Sequence, residues 1–182
     1  LINLHFYKNT AYFGHIQSAK VFLLISDASE TAAGGFSLIC NDGSLSAKSP
    51  KVVFPFPKFF ASASSLVREL WGIFQLLKRF LSTILKKKFR NIRIVTDNFG
   101  ALFILSLFEH HPDVFVQRLA EQIWDLVQEN TLSVDFVWER RSTACMQAAD
   151  LLSKFLLKIS RFSLPTAIGK MITNLLCTDF TV

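Results

Sequence analysis

The chain has 182 residues, enough for one domain with a full hydrophobic core and short extensions. Hydrophobic residues make up 51% and charged residues 19%, which excludes a disordered chain. The longest apolar run, 99–108, is about half of the roughly 20 residues a bilayer span needs, which argues against a membrane protein. A net charge of +6 is compatible with a polyanionic partner. Three scattered cysteines (Cys40, Cys145, Cys177) fit neither a zinc site nor a disulfide framework, and they suggest an intracellular, reducing setting.

Residues 1–20 have no clear periodicity and read as a lead-in. Val21 to Ser26 is a short continuous apolar run, the pattern of a strand buried on both faces, and it ends at Asp27. Gly34-Gly35 turns into a second strand, Phe36 to Cys40, and Asn41-Asp42-Gly43 is a hairpin signal. A third strand over Lys51 to Phe56 is broken by Pro55 and Pro57. Ser64-Ser65 can cap a long helix from Leu66 to about Leu85, whose apolar residues share one face. Lys86-Lys87-Lys88 suits the negative end of its dipole.

Ile92 to Thr96 forms the fourth strand, and Asp97-Asn98 begins a helix. A further helix spans about Val116 to Glu129, Leu132 to Trp138 is the fifth strand, and Met146 to Ile159 a last helix. The 19 Phe lie mostly in these periodic stretches and read as core filling. Trp71, Trp124 and Trp138 likewise take core positions. Adjacent His110 and His111 before Pro112 read as loop residues rather than metal ligands. The order β-β-β-α-β-α-α-β-α predicts an α/β fold, three antiparallel strands followed by parallel crossovers, in a mixed five-stranded sheet flanked by helices.

Four acidic residues hold special places on this map. Asp27 and Asp97 end two strands expected to be parallel neighbours, and the functional crevice of such sheets lies at the strands' carboxyl ends. Glu69 borders the apolar face of the long helix, and Asp150 lies in the last helix. Each also has a structural reading: Asp97 and Asp150 as helix caps, Asp27 in an Asx turn, Glu69 as a surface charge. Convergent carboxylates repel one another without a cation, so their meeting would itself imply metal binding. Two Mg²⁺ ions held this way serve phosphodiester hydrolysis.

The segments SDASETAAGGF (Ser26 to Phe36), SSLVREL (Ser64 to Leu70), IVTDN (Ile94 to Asn98) and the stretch from Trp138 through AADLLSK to Lys154 carry a family likeness. Together they resemble the ribonuclease H domains of retrotransposon polyproteins, DIRS-like or related groups. The resemblance implies a ribonuclease H-like fold over 21–160 and a connecting segment over 161–182. It also implies a reverse transcriptase domain linked in the parent polyprotein.

By position it implies that Asp27, Glu69, Asp97 and Asp150 bind two Mg²⁺, with Mn²⁺ a substitute, and cleave the RNA strand of an RNA–DNA hybrid. Ser29 and Asn98 would lie near the hybrid backbone. Departures from the family pattern are Glu139-Arg140 in place of Ile-Pro, Met146 where Asn is usual, a shifted glycine spacing, and no histidine between Trp138 and Asp150. Arg140 and Arg141 are candidates to touch the scissile strand, and Lys86, Lys87 and Lys88 to track phosphates. Two other readings remain open. One is a degenerate domain that only binds nucleic acid or braces a reverse transcriptase. The other is a transposase or integrase of the same fold, which would place its Glu late rather than early.

Overall fold

The computed structural model describes residues 20–41, 44–46, 51–107 and 110–154. The proposed lead-in and connecting segments, apart from Lys20, lie outside these residues. The elements are β1 (Val21–Ala28), β2 (Ala32–Asn41), β3 (Ser44–Ser46), β4 (Val52–Pro55), α1 (Ser65–Lys86), β5 (Asn91–Thr96), α2 (Phe99–Leu107), α3 (Val114–Glu129), β6 (Ser133–Trp138) and α4 (Ala144–Lys154).

The sheet runs β3-β2-β1-β5-β6, and β4 also pairs with β2. β1 and β2 are antiparallel, with Asp27 opposite Gly34, while β1–β5 and β5–β6 are parallel. The expected mixed α/β sheet is therefore present, five strands across. Its outer edge differs from expectation. β3 pairs with residues 39–41 of β2 and β4 with residues 32–35, so two short segments share one edge end to end. Ser44, Leu45 and Ser46 are too few and too polar to announce a strand, and only their pairing with β2 makes them one. Pro55 ends β4 on this edge, where a missing N–H is tolerated.

Local chemistry sets the helix starts. Ser64 accepts the Val67 N–H and opens α1. Asp113 accepts the N–H groups of Phe115 and Val116, starting α3 two residues before the periodicity does. β1 is buried on both faces, as its unbroken apolar run demands. Phe22 and Leu24 pack with α1, α2 and α3 in one core, and Leu23 and Ile25 join Phe36, Val95 and Val137 beneath α4 in the other. Gly72 lets α1 approach the sheet, because a Cβ there would lie 2.8 Å from that of Ala33. That approach brings the first turns of α1 down onto the carboxyl end of β1. Among the described residues no helix is long and apolar enough to cross a membrane.

Candidate active site

Asp27, one residue before the end of β1, has 1% of its surface exposed, and Glu69 on α1 has 3%. Asp97 follows the last residue of β5, with 9% of its side chain exposed. Each of the three offers an oxygen lying within 4.8 Å of the others'. The carboxyl ends of two parallel strands and the start of a helix thus deliver three acids to one point. None takes the purely structural role open to it. Asn98 caps α2 by accepting the Ala101 N–H at 2.9 Å, which leaves Asp97 uncommitted as a cap. Asp27 lies in the β-ladder rather than in an Asx turn.

The two buried acids are each gripped by one oxygen. Ser153 Oγ donates to Asp27 Oδ2 at 2.9 Å, and the Ala28 N–H donates to Glu69 Oε1 at 3.1 Å. Their other oxygens, Asp27 Oδ1 and Glu69 Oε2, are buried with no hydrogen-bond partner. Such orphaned carboxylate oxygens are costly unless a cation satisfies them, and hard divalent cations take oxygen ligands of this kind. The residues present therefore fit a divalent metal.

The electrostatics agree with the burial. Asp27 is pushed up from 3.8 to about 6, chiefly by burial; the Ser153 hydrogen bond opposes this, Asp97 and Asp150 add to it, and Arg141 opposes it. Glu69 is raised well above its ordinary value by burial, then by Asp27 and Asp97. The compensating charge is Arg141, whose Nε lies 2.7 Å from Asp97 Oδ2 and whose guanidinium reaches to 3.9 Å from Asp27 Oδ1. It is 66% exposed, so it covers the acids from the solvent side.

The fold is ribonuclease H-like. Among solved structures, ribonuclease H1 from the halophilic archaeon Halobacterium salinarum is 16% identical, with 72% of this chain and 93% of that one aligned at a TM-score of 0.51. The N-terminal ribonuclease H domain of rv2228c from Mycobacterium tuberculosis is 16% identical, over 72% of this chain and 95% of that one, at 0.50. The protease–reverse transcriptase of prototype foamy virus is 11% identical, over 91% of this chain and 21% of that one, at 0.43. No protein-family model and no curated protein matches the sequence.

The remaining candidates fall in different places. Asp150 stands in the second turn of α4, because the helix begins at Ala144 rather than at Met146. It is close enough to raise Asp27 but is not among the three converging acids, and it pairs with Lys154 at 2.6 Å. Ser29 is engaged within the fold, where its hydroxyl donates to Ser153 O at 2.8 Å and closes the β1–β2 turn. Asn98 is the α2 cap. Arg140 is exposed beside Arg141.

Lys86, Lys87 and Lys88 are exposed at the far end of α1, about 26 Å along the helix axis from Glu69. The structure does not bring them to the acids. His111 closes a loop, its Nδ1 accepting the Asp113 N–H. Trp138 corrects the expectation of a core position. It is 42% exposed at the end of β6, and its indole N–H donates to Asp97 O at 2.9 Å, bracing the backbone that carries the acid. Sequence reasoning missed this brace, and it missed Ser153, which stood inside the recognised AADLLSK stretch with no local reason to be singled out.

Proposed function

We propose that the chain is a metal-dependent ribonuclease H that hydrolyses the RNA strand of RNA–DNA hybrids during reverse transcription, as part of a retroelement polyprotein. The observation that carries this reading is the trio Asp27, Glu69 and Asp97, gathered at the carboxyl ends of β1 and β5, with two of their buried oxygens making no hydrogen bond.

Asp27, Glu69 and Asp97 would hold Mg²⁺, or Mn²⁺ in its place, with Asp150 at the rim serving a second ion. Such metal ions supply an activated water and stabilise charge on the phosphate. The burial of Asp27 and Glu69 keeps bulk water from competing for their oxygens. Arg141, exposed and tethered to Asp97 by its side chain alone, is placed to leave the acids and meet a phosphate oxygen. The early Glu69 argues against the transposase or integrase reading.

Incubating the protein with Mg²⁺ and a labelled hybrid tests the proposal. Cleavage of the RNA strand that Asp97→Asn removes is expected, and its absence from the wild type would overturn the enzymatic reading. A second reading, a domain that only binds nucleic acid, is favoured by the internal cations: Arg141 lies on Asp97 and Lys154 on Asp150. It requires hybrid binding with no metal-dependent cleavage.

A further inference from the structure

We infer that Ser153 is a positioning residue for Asp27, fixing which carboxylate oxygen faces a bound cation; this rests on the metal-site reading above. Ser153 is fully buried on α4, one turn after Asp150. Its Oγ lies 2.9 Å from Asp27 Oδ2 and 2.9 Å from Asp150 O. A hydroxyl has one proton, and an ionised carboxylate is the stronger acceptor, so the bond goes to Asp27. That engages Oδ2 and leaves Oδ1 without a hydrogen bond, facing only the Arg141 guanidinium at 3.9 Å, as the Ala28 N–H engages Glu69 Oε1 and leaves Oε2 without one. The two grips are complementary: one comes from the strand itself, the other from a helix 126 residues along the chain.

The rest of the contact delivers that hydroxyl. Ser29 Oγ donates to the Ser153 carbonyl at 2.8 Å, tying the end of α4 to the β1–β2 turn. Opposite Asp27 on β2, Gly34 has no Cβ, and one placed there would overlap Ser153 N and lie 2.7 Å from Leu152 C. The backbone of α4 therefore rests directly on β2 at the residue that faces Asp27 across the ladder. Helix, turn and strand set the height of one hydroxyl against one carboxylate. Outer partners of this kind orient metal ligands, and their loss weakens metal binding by roughly 10–100-fold.

Calorimetric titration of the chelator-stripped chain with Mn²⁺ alone tests this on wild type, Ser153→Ala, Asp97→Asn and Val127→Ala. Val127 is a buried core residue of α3, on the sheet face opposite α4, and serves as a control for lost packing. Wild type is expected to bind Mn²⁺ in an Asp97-dependent way. Ser153→Ala should raise Kd by roughly 10–100-fold with a fall in Tm no larger than that of Val127→Ala, which keeps the wild-type Kd. A Kd unchanged in Ser153→Ala overturns the positioning role while leaving the metal site standing, and equal weakening in Val127→Ala reduces it to packing. Absence of Asp97-dependent Mn²⁺ binding in the wild type defeats the metal site itself, and the positioning role falls with it.

Discussion

Removing the charge of Asp27 is expected to stabilise the metal-free protein. In the unfolded chain this carboxyl titrates near 3.8, and in the fold it does so at about 6, mainly because it is buried. Between those values the folded state holds a proton that the unfolded state has released, so stability falls as pH rises from roughly 4 to 6 and levels off for this group above that. Below the unfolded value both states are protonated and the penalty vanishes. At about 1.4 kcal/mol per pH unit the cost is about 3 kcal/mol at neutral pH.

Glu69, raised in the same direction, adds to the loss. Asp27→Asn keeps an oxygen to accept the Ser153 hydroxyl but sheds the charge, so up to about 3 kcal/mol should be regained at pH 8 and little at pH 4. Urea denaturation in chelator across this pH range measures both quantities. A wild-type profile flat from pH 4 to 6, or an Asp27→Asn variant less stable than wild type at pH 8, would refute the reasoning. Saturating Mn²⁺ should restore stability to the wild type and not to the variant, because only the charged carboxylate gains from the cation.

Other consequences can be measured separately. Arg141→Ala should lower hybrid cleavage by about a hundredfold while Mn²⁺ affinity does not fall, since the guanidinium sits on oxygens that the proposed metal would use; kinetics and titration on one preparation read both. Gly34→Ala should cost about 1–3 kcal/mol or more in urea, because α4 must move off β2 to admit the methyl group. Thr131 carries a β-branched side chain at φ 52, just past α3, so Thr131→Gly should raise stability by about 1 kcal/mol, visible as a higher Tm. Lys88→Gly, relieving φ 58 just past α1, should do the same to a smaller extent, since Lys is not β-branched.

Much of this molecule is legible from local pattern. The unbroken apolar run of β1 announces burial on both faces, Ser64 and the apolar stripe after it announce α1, and these elements fall within a few residues of expectation. The acids at 27, 69 and 97 are conspicuous for the same reason, being charges at the ends or margins of apolar elements. What a sequence encodes this way is periodic and short-range, because hydrogen-bond geometry and side-chain direction repeat every two or 3.6 residues.

The rest was decided only by tertiary structure. Whether the 44–46 segment is a strand depends on β2 lying alongside it. That Asn98 rather than Asp97 caps α2, that Trp138 stands exposed and braces Asp97, and that Arg141 reaches two acids follow from where β5, β6 and the loop after β6 end relative to one another. Ser153 meets Asp27 because Gly34, lacking a Cβ, lets the backbone of α4 rest directly on β2. Contacts between residues more than a hundred positions apart leave no trace in local periodicity, and a shift of one residue in any register would send these side chains elsewhere.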